Sequence, residues 1–278
     1  MSSKSAIVTG GTRGIGFGIS EQLAQDGYNL ILGFNANEEA AQEAKTRLES
    51  SYGIKVYTIK GDVASPSTID QFFQCLEQNF AGKLTALVHN AGLWVDGTTE
   101  ADSSEAKEAA QIPHQVLADG TFSTFVQYDY YQNVYPKCFI SCVEKALNYM
   151  EDGNGYIVAI SAVGCNLLQK PMLGYDMQGS AKAAMEHLTR YYAKKLTSRK
   201  ITVNAVIPGL TKTEAWEFLT DKYGGMESEV MQKRIANTPM QRWLLPTEIG
   251  KVVAFLCSPK AALITGVALP VDGGLHLF

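Results

Sequence analysis

Three side chains in the second half of this 278-residue chain have the chemistry for proton transfer to an oxygen: Ser161, Tyr175 and Lys182. A phenol can give a proton to an oxygen that gains negative charge, and a hydroxyl can hydrogen-bond that oxygen. Free tyrosine has a pKa of about 10, and a nearby ammonium lowers it by favouring the phenolate. The three residues therefore predict a site that donates a proton to a carbonyl or enolate oxygen.

The spacing of this group constrains its geometry. Tyr175 precedes Lys182 by seven residues, and residues seven apart on a helix share a face but lie about 10 Å apart along the axis. Gly174 and Gly179 flank Tyr175, so we expect Tyr175 at or before the start of a helix, reaching the site from there. In the alternative, Tyr175 only packs and water or another group supplies the proton.

A glycine-rich turn near the N-terminus, Thr9 to Gly16 (TGGTRGIG), follows an apolar strand and opens a helix. Its glycines allow close backbone approach, and the N–H groups at a helix start favour a diphosphate. The turn predicts a dinucleotide site, with an unliganded strand-to-helix turn as the alternative. The candidate contacts are Gly10, Thr12, Arg13, Gly14, Ile15 and Gly16.

The segment after the second strand, 33–37 (GFNAN), indicates the cofactor type. An acidic residue there would accept a bond from the ribose 2′-hydroxyl of NAD and repel a 2′-phosphate. The segment contains the amide of Asn35 and no acid, and Arg13 offers a cation to a phosphate. NADP(H) is therefore favoured over NAD(H). The alternative for Arg13 is a solvated surface charge.

Short apolar runs at 5–9, 28–33, 55–60, 84–89, 156–160 and 201–207 alternate with segments of helical periodicity. Such runs predict an α/β fold: a single-domain, Rossmann-type, doubly wound parallel sheet with helices on both faces, over 1–278. Ligands bind outside the carboxyl ends of such strands. The residues at those ends are Gly10, Asp62, Asn90, Ser161 and Pro208.

These motifs together resemble the short-chain dehydrogenase/reductase family over nearly the full chain. The resemblance implies that Asp62 and Val63 contact the adenine end of the cofactor, although Asp62 also suits the start of the following helix. It implies a homotetramer or dimer. It further implies cofactor contacts from Asn90, Ala91, Gly92, Lys182, Pro208, Gly209 and Thr211, and a fourth catalytic residue, Asn133, at the start of an aromatic-rich helix, which keeps a water near Lys182.

One departure from the family pattern bears on the reaction. Family members usually carry tyrosine four residues before the lysine, where this chain has Gln178, and an amide is not an acid. The Tyr-x6-Lys spacing resembles enoyl-acyl carrier protein reductases. Two reactions stay open: reduction of a ketone or aldehyde, and reduction of the conjugated C=C bond of an enoyl thioester. A third hypothesis is a non-catalytic NADP-binding scaffold or redox sensor.

Two further segments are candidates for binding the small-molecule or acyl-thioester substrate. An aromatic-rich insertion at about 95–130, which includes Phe122 and Phe125, can wall a pocket or pack at a subunit interface. The segment at about 210–238 lies where relatives carry a substrate lid, and Gly224 and Gly225 offer a hinge.

Composition excludes several other classes. The formal net charge is −4 without a cluster of basic residues, which argues against a nucleic-acid partner. No apolar run approaches the ~20 residues that cross a membrane. The five cysteines form no CxxC pair or metal-ligand spacing, so we expect no metal and a reducing compartment, the cytoplasm.

Overall fold

The computed structural model describes residues 4–92, 115–116, 122–123, 125–167, 169–171, 175–221 and 224–277. Its strands are β1 (Lys4–Thr9), β2 (Tyr28–Phe34), β3 (Val56–Lys60), β4 (Ala86–His89), β5 (Gln115–Val116), β6 (Phe122–Ser123), β7 (Gly155–Ile160), β8 (Ile201–Pro208) and β9 (Ala268–Val271). Its α-helices are α1 (Gly14–Gln25), α2 (Glu38–Tyr52), α3 (Pro66–Phe80), α4 (Phe125–Gln132), α5 (Cys138–Ala146), α6 (Asp176–Leu196), α7 (Glu214–Asp221), α8 (Glu229–Ala236) and α9 (Pro246–Leu256).

Seven strands form one parallel sheet in the order β3-β2-β1-β4-β7-β8-β9. The chain builds outward from β1 to β3 and then crosses back to β4, so the strand order reverses between β1 and β4. Thr9 and His89 lie opposite each other at the ends of these two strands. Ligands of doubly wound sheets bind at such a reversal. The predicted Rossmann-type α/β fold is confirmed.

Apolar side chains cover both faces of the sheet. One buried cluster joins Ile7, Leu87 and Ile157 to α3, α5 and α6, and the other joins Val8, Val88 and Val158 to α1 and α9. Every residue of β7 and β8 is buried, as expected for strands enclosed on both faces. No helix in the described stretches is long and apolar enough to cross a membrane.

The segment before β7 differs from the sequence-based expectation. Asn133 does not start a new α-helix; α4 runs directly into a π-helical turn at Asn133–Lys137, which is followed by α5. Pro136 lies inside this turn, and proline lacks the N–H that a regular helix needs there. Most of the aromatic-rich insertion lies outside the described residues, except the antiparallel pair β5–β6 and the start of α4.

The start of α1 supplies a stability prediction, because it packs closely on the end of β1. A Cβ on Gly16 would lie 1.9 Å from the Gly10 carbonyl oxygen and 2.5 Å from Nδ2 of Asn90. We therefore expect Gly16→Ala to lower the free energy of unfolding by about 2 kcal/mol or more, measured by urea denaturation.

Gly27→Asn provides the matched control just after α1. Gly27 has φ +80° with open space around it, and asparagine tolerates that conformation, so we expect a change within about 0.5 kcal/mol. Equal losses in both variants would contradict the packing argument.

Candidate active site

The glycine-rich turn lies at the carboxyl end of β1 and leads into α1. Gly11 N–H donates to the Gly33 carbonyl at 3.1 Å, and Ser20 Oγ donates to the Gly11 and Gly16 carbonyls at 2.8 and 2.9 Å. Thr12 is buried, and Ile15 packs against the core below the turn. The turn is thus fixed from below, and its backbone is placed to contact a ligand from above.

The start of α1 differs from the start of α2 in a way that suits an anion. Arg13 precedes α1 without a side-chain cap, and the first turn holds no acid. In α2, by contrast, Asn37 caps the N–H of Ala40 at 2.9 Å and two glutamates follow. The N–H groups and positive end of α1 fit a diphosphate.

Thr9 joins the glycine-rich turn to the end of β4. Its Oγ1 accepts the N–H groups of Asn90 and Ala91, each at 3.0 Å, and lies 3.0 Å from Nδ1 of His89. Burial and the charge of Lys182 lower the pKa of His89 to about 4, so the ring is neutral at pH 7. The Thr9 hydroxyl then donates to Nδ1.

Asn90 lies between the two predicted cofactor segments. Its Nδ2 donates to the carbonyls of Thr9 and Gly10 at 3.2 and 3.0 Å. The side chain therefore braces the glycine-rich turn, and Ala91 and Gly92 follow it along the same edge of the sheet.

The loop after β8 approaches the glycine-rich turn from the other side. Gly209, directly after Pro208, donates its N–H to the Val271 carbonyl at 3.1 Å. Thr211 is buried, and its Oγ1 donates to the Gly209 carbonyl at 2.9 Å. Thr213 lies nearest the turn, 3.3 Å from the position of a Cβ on Gly14. Thr213 is absent from the predicted contacts and joins them by this approach.

At the predicted adenosine end, Arg13 and Asn35 are exposed. Asp62 Oδ1 accepts the N–H of Ala64 at 2.8 Å, and Val63 is buried in the core. The residue that precedes α3 is Ser65, so Asp62 stabilises the turn before that helix and does not cap it.

Lys182 is buried on α6, with 8% of its surface exposed. Its Nζ donates to the carbonyls of Ile160 and Ser161 at 3.0 and 3.2 Å, and lies 4.7 Å from the ring centroid of Tyr135. Burial lowers the pKa of Lys182 to about 8, while Cys165 and Glu186 act in the opposite direction. The ammonium thus lies at the carboxyl end of β7.

Tyr175 is the residue immediately before α6, the placement that its flanking glycines favour, although Gly174 lies outside the described residues. Its ring packs over Gly179, 3.3 Å from the position of a Cβ there. Burial raises the pKa of Tyr175 well above its usual value, with Tyr135, Cys165 and Tyr131 adding to the effect. The expected lowering of this pKa by Lys182 is therefore not observed, and the phenol keeps its proton at neutral pH.

Ser161 follows β7, and its hydroxyl points into the protein. Oγ donates a short hydrogen bond to Oε1 of Glu186, and Ser161 is 3% exposed. Asn166 Nδ2 donates to the other oxygen of Glu186 at 3.0 Å. Because the Ser161 proton is engaged with a buried carboxylate, the expected bond from Ser161 to a substrate oxygen requires that this contact break.

Comparisons with known proteins agree with this fold and identify the family. Residues 10–276 match a family model described as enoyl-(acyl carrier protein) reductase. The solved structure of a short-chain dehydrogenase/reductase from Serratia marcescens is similar, with 28% identity, a TM-score of 0.80 and 98% of each chain covered. This chain belongs to the short-chain dehydrogenase/reductase family. It is therefore an oxidoreductase.

Other members of the family show the range of its chemistry. A hydroxynaphthalene reductase-like protein, Arp2, from Metarhizium brunneum is 31% identical, with 99% of this chain and 95% of that protein covered. The 3-oxoacyl-[acyl-carrier-protein] reductase FabG of Staphylococcus aureus is 30% identical, with 99% of each covered. A blue fluorescent protein from a metagenomic library, solved in complex with NADPH, is 26% identical with a TM-score of 0.79, and 98% of each chain is covered.

At the place where the family usually carries tyrosine, Gln178 is buried and bonded. Its Nε2 donates to the Tyr131 hydroxyl at 2.5 Å, and both residues are less than 10% exposed. The Tyr131 ring stacks on Tyr135, with centroids 6.1 Å apart and planes at 7°. An aromatic pair from α4 and the π-helical turn therefore fills the space beside Lys182 that Gln178 borders.

Asn133, which the family resemblance suggests as a fourth catalytic residue, lies in the π-helical turn. Its Oδ1 accepts a hydrogen bond from the exposed Lys137 at 2.8 Å. The role of Asn133 in keeping a water near Lys182 stays a prediction. Tyr135 of this turn contacts Lys182. The sequence did not predict this contact, and the available signal was the aromatic-rich segment that precedes Tyr135.

Glu186 is the other functional candidate that the sequence reasoning missed. Its position one helical turn after Lys182 was the available signal, since residues four apart share a helix face. Among the described residues, no group of three or more His, Cys, Asp or Glu side chains could hold a metal ion. All five cysteines are free and buried.

The link between β1 and β4 supplies a prediction. Thr9→Val removes the acceptor of two backbone N–H groups, so we expect the free energy of unfolding to fall by about 2 kcal/mol. The amides of Asn90 and Ala91 should also exchange faster with deuterium. Thr9→Ser retains the hydroxyl and should keep their protection; loss of protection in both variants would contradict the role of the hydroxyl.

Proposed function

We propose that this protein is an NADPH-dependent reductase of a conjugated C=C bond in an enoyl thioester. The observation that carries the proposal is the hydrogen bond from Gln178 to Tyr131. Because of this bond, a buried amide occupies the position where the family usually has tyrosine. Tyr175, before the start of α6, is then the phenol that serves the site. Its spacing to Lys182 resembles that of enoyl reductases.

The cofactor proposal is supported by the uncapped start of α1. The backbone N–H groups of Gly14, Ile15 and Gly16, with Thr213 across from them, would hold the diphosphate. Lys182 would hold the nicotinamide ribose. The bound cofactor supplies a hydride to the substrate carbon, and the chain supplies every other part of the site.

Preference for a 2′-phosphate is supported by the charges after β2. Arg13 is exposed at the start of α1 and, in the described part of the chain, has no ion-pair partner. The first acid after β2 is Glu38, whose Oε1 lies 2.5 Å from Nζ of Lys60. That bond lowers the pKa of Glu38 and occupies its carboxylate. A free acid that would accept the ribose 2′-hydroxyl is therefore absent from the described residues 33–38.

The protonated Tyr175 phenol suits reduction through an enolate. When hydride adds to the β-carbon, charge develops on the thioester oxygen, where a donor stabilises it, and a proton from solvent then adds to the α-carbon to complete the reduction. Tyr175 keeps its proton at neutral pH, so its O–H serves as this donor. Reduction of a ketone needs one proton for the alkoxide oxygen, and Tyr175 would supply it without help from Ser161, whose proton is engaged with Glu186.

Carbonyl reduction remains the second candidate, because the FabG relative is named as a 3-oxoacyl reductase and is 30% identical. In that reaction, Tyr175 would protonate the alkoxide. A non-catalytic scaffold is the least supported function, since a binder needs neither Tyr175 nor a buried Ser161.

The substrate side is proposed from position. We propose that the helices α7 and α8 within 210–238 form a lid over a single catalytic domain. Trp216 attaches the lid to the rest of the protein, since its ring centroid lies 5.7 Å from that of Trp243. Within the lid, the Arg234 guanidinium lies 5.4 Å from the centroid of the Trp216 ring. Assembly as a homo-oligomer and a cytoplasmic location stay predictions.

The reaction is tested by NADPH consumption with a matched pair of thioesters, a trans-2-enoyl and a β-ketoacyl compound of one chain length. We expect turnover of the enoyl compound. Tyr175→Phe should lower kcat by about 100-fold or more while leaving NADPH binding intact, because only the proton donor is lost. Tyr191→Phe, an exposed tyrosine on α6, is the control.

Turnover of the β-ketoacyl compound alone would overturn the enoyl proposal in favour of carbonyl reduction. Full activity of Tyr175→Phe would remove Tyr175 from the mechanism. NADPH binding without turnover of either compound would support the scaffold.

Cofactor preference is tested separately with Arg13→Ala. Loss of one charge-assisted contact to a phosphate should weaken NADPH binding by about 10-fold or more. NADH binding should stay within about 2-fold, because NADH lacks the 2′-phosphate. Fluorescence titration measures both constants. Equal loss for the two cofactors would show that Arg13 does not contact the 2′-phosphate.

A further inference from the structure

Glu186 is a buried acid inside the site that the proposed reaction does not use. It lies on α6 one turn after Lys182 and is 6% exposed. Ser161 Oγ donates to its Oε1, and Asn166 Nδ2 donates to its Oε2 at 3.0 Å. Both oxygens accept hydrogen bonds, the pattern of an ionised carboxylate. A buried charge of this kind requires compensation.

The buried ammonium of Lys182 requires a negative charge nearby. Its two hydrogen-bond partners are neutral carbonyls, those of Ile160 and Ser161, so they do not balance its charge. Glu186 and Lys182 lie four residues apart on one helix face. Each is therefore a candidate to compensate the charge of the other, and Glu186 acts to raise the pKa of Lys182.

The other titratable side chains that the structure describes around Lys182 are an imidazole, a thiol and phenols. His89 on β4 has a pKa of about 4, and burial raises the pKa of Cys165, after β7, to about 11. Tyr135 contributes its ring face from the π-helical turn, and Tyr175 keeps its proton. Tyr131 on α4 is a further phenol in this group. Among these described neighbours, Glu186 is the one that carries a carboxyl group.

Ser161 is hydrogen-bonded to both Lys182 and Glu186. Its carbonyl accepts from Lys182, and its hydroxyl donates to Glu186. A displacement of Glu186 would therefore move the residue whose carbonyl orients the ammonium.

We propose that Glu186 is a positioning residue for Lys182, keeping it protonated as its counter-charge and oriented through Ser161. The proposal assigns the Ser161 hydroxyl a role inside the protein. It rests on the proposed function only in taking Lys182 as the residue that holds the cofactor ribose.

The sign of the charge effect follows from electrostatics. An anion stabilises the ammonium form, so its removal lowers the lysine pKa further. Burial already lowers the pKa of Lys182 to about 8. In Glu186→Gln a larger fraction is therefore neutral at pH 7.5, and the alkaline limb of the kcat/KM profile moves to lower pH.

The first experiment measures Lys182 directly, without turnover. Lysine labelled with ¹³C at Cε is titrated by NMR in the full-length protein, and the Lys182 signal is assigned by its loss in Lys182→Met. We expect Glu186→Gln to lower this pKa by about half a unit or more. Glu144→Gln breaks an exposed ion pair with Lys195, a different lysine of α6, and should leave the pKa of Lys182 unchanged.

Ser161→Ala separates orientation from charge. It retains the carboxylate and the Ser161 carbonyl but removes the hydroxyl link, so we expect the Lys182 pKa to change less than in Glu186→Gln, and NADPH to bind at least about 3-fold more weakly than to the wild type. An unchanged pKa in a folded Glu186→Gln variant would overturn the counter-charge role. Unchanged NADPH binding in Ser161→Ala would overturn the orienting role.

These outcomes are distinguishable from failure of the proposed function. If neither thioester is turned over, the NMR titration still reports whether Glu186 sets the charge of Lys182. If Glu186→Gln fails to fold, Glu186→Asp keeps the charge, and the titration of that variant must reproduce the wild-type pKa to within about 0.3 units for the proposal to stand.

Discussion

The ammonium group of Lys182 is buried at the carboxyl end of β7, and the surrounding structure meets the cost of keeping a charge there. An isolated buried ammonium loses several kcal/mol of hydration and tends to shed its proton. Here two carbonyls accept its hydrogen bonds, an aromatic ring lies against it, and Glu186, which accepts a hydrogen bond from Ser161, is its proposed counter-charge. The end of β7, the π-helical turn and α6 are therefore joined around one charge.

The parallel sheet brings distant segments to this charge. β1, β4, β7 and β8 lie side by side and point the same way, so the loops that follow them share one edge. Thr9 connects the loops after β1 and β4 by a single hydroxyl, and Thr213, on the loop after β8, approaches the loop after β1. The reductase chemistry proposed for the protein depends on this convergence more than on any one loop.

The sequence predicted the fold and the positions of the site segments, because apolar strands and glycine-rich turns are local patterns. It did not predict the direction of side chains whose partners are remote. Ser161 was expected to face a substrate, but Glu186, 25 residues later, accepts its proton. The pKa of Tyr175 was expected to be lowered by Lys182, and burial raises it instead. Burial and remote pairing depend on tertiary packing, which spacing along the chain does not reveal.

The bond between Gln178 and Tyr131 also constrains how such a site can evolve. The two residues lie on different helices and satisfy each other in the core. A chain that regained tyrosine at 178 alone would have to place two bulky phenols in one space, and a chain that lost Tyr131 alone would leave a buried amide unpaired at a cost of about 1–3 kcal/mol. Moving the tyrosine from position 175 to position 178 therefore requires a paired change at Tyr131 and Gln178. Either change alone would destabilise the protein.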